Sequence, residues 1–401
     1  MAIDIEIKRE EKKLIRLSFS DKKLINCEKR IAKVLKVRLS DDKKSVIVSG
    51  SLPEQELILR ARNLLKYGEE RDFELSPAQT ISEKMQFKEP DIKRICEKIR
   101  EIMPENLSSE LFFEIGDVSV NHENTKGFSG EYSKRYYSIS FSIPVEHEGE
   151  IIFLNYSDIS TADNSREIIK ELLKEYESFP KKREKEPANL PVVLHPDAVS
   201  DLIKMCTYFA RGEYIHKCVS PFCDKLGEKI FSGELTIEHI PDDKNFAGWR
   251  PFDDECTPTK RFKFIEKGVL RNLFLSRKSA KKLSLEPNGC AIFGESPFFR
   301  IEETALALDV YPGKNLLTSL KDFILIRDAS FDVYPTGEFV ADCILAYLYR
   351  KGKKEKYLRS FQIAGNIFDI LGKNLIFLSK KRIRIGNIIA PYIGFLGVKI
   401  I

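Results

Sequence analysis

Apolar residues recur along this chain at two spacings, every second position or every third to fourth, and the spacings divide it into elements. Residues 3–9 and 33–39 read as strands, with a shorter one at Ser45–Val48. Ser51-Leu52-Pro53-Glu54 has the S-x-x-E form of a capping box. It opens a helix whose stripe is Leu57, Ile58, Ala61, Leu64 and Leu65, stopped at Gly68. Ile92, Ile95, Cys96, Ile99 and Met103 mark a second amphipathic helix over 91–103. Tyr137, Ile139, Phe141, Ile143 and Val145 then alternate with polar residues as a half-buried strand, which turns at Glu146–Glu150 into Ile151–Asn155. Thr161–Asn164 caps a helix with Ile168, Ile169, Leu172, Leu173 and Tyr176 on one face.

The stretch 180–187, charged and bounded by Pro180 and Pro187, reads as the main connector. Beyond it, Pro191–Leu194 is a short strand and Pro196–Arg211 a helix ended by Gly212. From there the pattern is one of β-like runs: Glu234–Ile240, Arg261–Glu266, Val269–Leu275, Phe323–Arg327, Glu338–Tyr349, Leu375–Leu378 and Gly394–Ile401. The expected fold class is α+β in three parts. These are a small N-terminal two-layer α/β part (1–75), a central α+β part (76–186) and a large, mostly antiparallel β domain with a few helices (187–401).

Composition narrows the function classes. Hydrophobic residues make up 42% of 401, enough for a folded core. The 66 basic and 61 acidic residues nearly cancel to +5, which argues against nucleic acid as a partner. No apolar run nears the roughly 20 residues that span a bilayer, and the start, Met1-Ala2-Ile3-Asp4, lacks the pattern of a signal peptide. A cytoplasmic protein is expected, with no membrane partner. The 8 cysteines show no framework spacing and read as buried small hydrophobes or free thiols. Only four glutamines beside 32% charged residues fit a thermophile. P-loop, dinucleotide, nucleophile-elbow and H-E-x-x-H signatures are all absent.

Three runs between Cys218 and Ser276 carry more information: S-P-F-C-D-K-L-G-E, F-D-D-E-C-T-P-T and I-E-K-G-V-L-R-N-L-F-L-S. In order and spacing they resemble the TldD/PmbA family, once called modulators of DNA gyrase and now read as subunits of a metalloprotease. Gln362–Leu371 is similar to its I-x-G-N-x-x-E-x-L segment, and Asp332–Glu338 with Ala341 more weakly to the region before it. The resemblance is specific over 191–276, moderate over 323–401 and thin over 1–178. Where that family carries F-D-D-E-G, this chain has Cys256 in place of the glycine, which puts the turn conformation in question.

The resemblance implies where a hydrolytic zinc would sit. In the zinc-bearing branch, H-E-x-x-x-H lies on the helix after the P-V-V-L strand, with a third ligand from a cysteine near the C-terminus. Counted back from Gly212, the matching residues are Ile203, Lys204 and Tyr208. Isoleucine has no donor atom, an ammonium repels a metal, and a phenol of pKa about 10 is a poor ligand at neutral pH. No cysteine follows Cys343, and 380–401 contains no His, Cys, Asp or Glu. A pair five residues apart also does not share a face of an ideal helix, so the second histidine of the motif requires a local break.

The chain therefore looks like the metal-free PmbA/TldE branch: no cofactor of its own, and zinc in a TldD-like partner. The implied assembly is a heterodimer enclosing a cavity in which an unfolded peptide lies as an added strand. Substrate or cavity candidates are Ser220, Phe222 and Gly227, with Asp253, Asp254 and Glu255. His216, Cys218 and Cys223 form a mixed cluster whose H-x-C-x₄-C spacing matches a zinc site poorly. His195 reads as a cap, and His122 and His147 as solvated loop residues. The alternatives are a homodimeric peptide-binding scaffold and a stand-alone metallopeptidase with diverged ligands.

Overall fold

In the computed structural model, which describes residues 3–147, 149–184, 189–294, 300–313 and 319–401, the first strands run far beyond their apolar signals. β1 (Asp4–Ser20) and β2 (Lys23–Ser40) form a long antiparallel hairpin. Asp21 and Lys22 both take positive φ, 47° and 65°, the geometry of a type I′ turn without the usual glycine. β3 (Lys44–Gly50) and β4 (Glu69–Glu70) extend one side. β5 (Gln79–Glu83), β6 (Glu110–Asn124), β7 (Phe128–His147) and β8 (Glu150–Ser160) complete an eight-stranded sheet ordered β4-β3-β2-β1-β6-β7-β5, with β8 paired to β7. Glu148, in the expected 146–150 turn, lies outside the described residues.

α1 (Glu54–Leu64) lays Leu57 and Ala61 on Val37, Leu39 and Val48. Its N-cap is Pro53 with no side-chain bond, so the expected Ser51 capping box does not form. α2 (Ile92–Ile102) is capped by Asp91, whose carboxylate accepts the Arg94 N–H, and α3 (Ser165–Glu177) buries Ile168, Ile169 and Leu172.

The chain divides into two compact units. The first gathers 1–176 with 241–260 and 275–303; the second holds 177–240, 261–274 and 304–401. No break falls at residue 75, because a single sheet runs through both expected N-terminal parts. Two stretches of the expected 187–401 domain belong instead to the first unit. Residues 185–187 of the connector lie outside the described residues.

The second unit is built on β9 (Val192–Leu194), β10 (Leu235–His239), β11 (Phe262–Glu266) and β12 (Val269–Leu270). The short pair β13 (Ala291–Phe293) and β14 (Ile301–Glu303) belongs to the first. The second unit continues with β15 (Leu308–Pro312), β16 (Phe323–Val333), β17 (Glu338–Arg350), β18 (Lys353–Asn366), β19 (Leu375–Ile385), β20 (Ile388–Phe395) and β21 (Lys399–Ile400). Its sheet is ordered β12-β11-β10-β15-β20-β9-β16-β17-β18-β21, with β19 paired to β20. β9 is short yet central: it runs parallel to β16 and antiparallel to β20, so Val192 and Leu194 are fully buried.

Candidate functional site

β9 leads directly into α4 (Pro196–Phe209), the helix on which the resemblance places the metal motif. Proline at the first helical position and His195 at the N-cap, its Nδ1 accepting the Asp197 N–H at 3.3 Å, set the helix start. Asp197 pairs with Arg327 of β16. Burial works against the charge of this carboxylate, yet His195 and Arg327 hold it below the usual range. The helix buries Ala198, Val199, Leu202, Ile203, Cys206 and Phe209.

The three motif positions separate on this helix. Ile203 is wholly buried, whereas Lys204 is exposed and pairs with Asp201 at 3.1 Å. Tyr208 is exposed, its hydroxyl 2.5 Å from that of Tyr214 and its ring 4.4 Å from the Arg211 guanidinium. α4 runs unbroken to Phe209, so 203 and 208 point about 140° apart. Gly212, expected to end the helix, instead opens the short helix α5 (Gly212–His216). A buried alkyl group, an exposed ammonium and a phenol engaged by a second tyrosine do not fit a hydrolytic zinc, and no chemistry through such a metal is assigned to these residues.

The loop after α5 is packed by the side chains first read as substrate candidates. Ser220 Oγ donates to the Phe209 carbonyl at 2.6 Å and accepts the Phe222 N–H at 3.0 Å. Phe222 is buried among Phe231, Phe264 and Phe368. Gly227 takes φ 89° and donates its N–H to Leu270 O. His216 and Cys218 are exposed and Cys223 is half-buried; among the described residues these three do not converge as ligands.

Asp253, Asp254 and Glu255 form a second constellation, in the first unit and almost wholly buried. Glu6, Lys8 and Glu10 of β1 face them, with Arg38 of β2, His122 of β6 and Tyr132 and Lys134 of β7 on the same side of the sheet by register. Gly130 on that face has no room for a Cβ, which would meet the Phe252 ring at 2.6 Å. Each carboxylate has its own partners. Asp253 accepts the N–H groups of Glu255, Thr257 and Ala291 at 2.8–2.9 Å. Burial and the charge of Glu255 push it up to about 8 against those donors. Asp254 accepts Lys8 Nζ at 2.7 Å and the Phe293 N–H at 2.9 Å. Burial would raise it, but Lys8 and Arg250 hold it far below the usual carboxylate range. Glu255 accepts Arg38 at 2.7 Å and the Arg277 N–H, at the start of α6 (Arg277–Leu283), at 2.6 Å.

Cys256 takes the glycine-like conformation, φ 58°, so the turn survives the substitution with strain. Its Sγ lies 3.4 Å from Glu6 Oε1. His122, expected in solvent, is fully buried on β6 among Phe128, Phe252 and Phe293. A lone histidine within N-H-E-N gave no sequence signal for this, because the burial comes from a segment more than a hundred residues away.

The large antiparallel sheets, with a helix directly after a central strand, define a protein of the α+β class. The PmbA/TldA metallopeptidase C-terminal domain matches residues 187–401, more than half of the chain, and the chain belongs to the PmbA/TldD family. It is 27% identical over 187 residues to a metalloprotease of Methanocaldococcus jannaschii, covering 45% of this chain and 42% of that one. It is 23% identical over 291 residues to the metalloprotease PmbA of Escherichia coli O157:H7, covering 68% and 61%. The chain spans under half the length of the archaeal metalloproteases it matches. In fold it superposes on TldE from Thermococcus kodakarensis with a TM-score of 0.83 at 18% identity, covering 99% of this chain and 96% of that one. A Thermotoga maritima protein described as a modulator of a DNA gyrase gives the same TM-score at 17% identity, covering 100% and 96%. No helix among the described residues is long and apolar enough to cross a membrane.

Proposed function

We propose that this chain is a non-catalytic subunit of a PmbA/TldD-type metallopeptidase, supplying scaffold and substrate alignment while a zinc-bearing homologue supplies hydrolysis of unfolded peptides. One observation carries the reading: α4 is intact, but the matched positions offer a buried isoleucine, an exposed lysine and a tyrosine on two different faces. A helix of this design retains the architecture and has no donor set for a hydrolytic water. Ser220, Asp253, Asp254 and Glu255 act in this role as scaffold, since their side-chain oxygens are engaged within the chain. A cytoplasmic setting accords with the role.

The test is co-expression with a homologue from the same genome that carries H-E-x-x-x-H. The expected result is a co-purifying hetero-oligomer that hydrolyses an unfolded protein such as casein, and no hydrolysis by this chain alone. Chelator-sensitive hydrolysis by the chain alone would overturn the reading. Self-association without any hetero-complex would replace it with the homodimeric scaffold.

A further inference from the structure

Glu6 of β1, His122 of β6 and Cys256 of the 241–260 segment bring one carboxylate oxygen, one imidazole nitrogen and one sulfur within 4.8 Å of one another. Among the described residues no other three His, Cys, Asp or Glu side chains meet in this way. All three side chains are buried. His122 is the anomaly: neither ring nitrogen has a hydrogen-bond partner, although Nε2 comes within 3.3 Å of Glu6 Oε1. A fully buried imidazole whose Nδ1 has no partner and whose Nε2 meets only the Glu6 carboxylate, outside hydrogen-bond geometry, requires an explanation, because buried polar groups are nearly always paired.

We infer that Glu6, His122 and Cys256 bind a divalent metal of the zinc class, a site distinct from the emptied hydrolytic position. Metal–ligand bonds of about 2.0–2.3 Å at tetrahedral angles put neighbouring ligand atoms about 3.3–3.8 Å apart. Glu6 Oε1 stands 3.3 Å from His122 Nε2 and 3.4 Å from Cys256 Sγ, so two of the three edges already have that length. An ion between them also accounts for a ring nitrogen that approaches the carboxylate without hydrogen-bond alignment. One carboxylate, one thiolate and one neutral imidazole balance a doubly charged cation, and mixed N, O and S donors suit zinc above magnesium or calcium. The site is closed to solvent, so the metal staples the 241–260 segment to the sheet and takes no part in hydrolysis.

The test uses the full chain purified from zinc-supplemented cells. The expected result is about one equivalent of zinc per chain. Exchange for cobalt should produce a thiolate-to-metal charge-transfer band, and a chelator should lower the thermal midpoint. Cys256→Gly, which relieves the positive φ, is expected to fold, to retain less than about a tenth of the zinc and to show no chelator effect. If that variant does not fold, His122→Phe, an apolar ring among three phenylalanines, gives the same readout. Wild-type protein with no zinc and no cobalt–thiolate band overturns the inference, as does zinc retained in both variants.

Discussion

Writing the H-E-x-x-x-H motif into α4, as Ile203→His, Lys204→Glu and Tyr208→His, should fail to create a hydrolytic site, and the cost can be worked out position by position. Ile203 is fully buried, and removing its side chain from the core forfeits about 1.5–3 kcal/mol of apolar burial. The imidazole that replaces it would be fully buried, and a polar group left unmatched there costs about 1–3 kcal/mol more. The expected total is about 2.5–6 kcal/mol, nearly all from the one change. Lys204 and Tyr208 lie at the surface, where the loss of the Lys204–Asp201 pair amounts to about 0.5 kcal/mol or less. Binding cannot recover this loss, because the two histidines would point about 140° apart on an unbroken helix. Urea unfolding of Ile203→His alone and of the triple variant, with zinc content of each, makes the comparison. Since the wild type is inferred to hold a zinc elsewhere, the readout is zinc in excess of the wild-type value. One additional equivalent in the triple variant, with little loss of stability, would refute the argument that helix geometry as well as residue identity excludes the metal.

Three further outcomes follow from the buried charges and one turn. Lys8→Met leaves Asp254 buried with Arg250 at 3.6 Å as its remaining cation, and should cost about 3 kcal/mol in urea unfolding. Lys8→Met with Asp254→Asn should recover most of this; no recovery would show that the pair is not the unit of stability. Lys134 donates to the carbonyls of Ala247 and Trp249, and burial, with Arg250 and Lys8 nearby, draws its amine well below the ordinary value. The unfolded chain therefore binds the extra proton. Stability should rise with pH from the folded value of Lys134 up to about 10.4, and Lys134→Met should lose that slope. Gly268 sits at φ 79° in the β11–β12 turn, where a Cβ would meet the Phe231 carbonyl oxygen at 2.2 Å. Gly268→Ala should destabilise by about 3 kcal/mol, read as a shift in urea midpoint with unchanged slope.

The helices and strands with clear periodicity were legible as residues: α2, α3, β9 and α4 lie within a few positions of their apolar patterns, whereas β7 begins at Phe128, well before the alternation that starts at Tyr137. The length of β1 and β2 was not. Lys8 to Lys13 is almost continuous charge, which by composition suggests a chain leaving the core, yet Lys8 is buried and its strand runs on to Ser20. The hairpin turn at Asp21-Lys22 carries no glycine or asparagine to announce it. Alternation in Ile5-Glu6-Ile7-Lys8 reads as one core face and one wet face. In fact Glu6 is as buried as a core residue, because 241–260 covers what would have been the solvent side. That cover is non-local, so no window on the sequence contains it. The same non-locality hid His122 and split the expected C-terminal domain between two units.

The buried cluster also decides how F-D-D-E should be weighed as evidence about chemistry. Paired carboxylates near a basic residue are the pattern expected of acid–base catalysis, and Asp253 at about 8 has the displaced value that such sites show. Geometry gives each group a different task. Asp253 closes a turn through three backbone N–H groups, Asp254 neutralises Lys8, and Glu255 joins Arg38 to the first turn of α6. All four oxygens of the two aspartates carry a partner from this chain, so accepting a substrate proton would break a bond that holds the segment in place. A carboxylate can be strongly perturbed for structural reasons alone when it lies dry beside other charges. The charges of this run serve the fold, which is what the scaffold role proposed above requires of them.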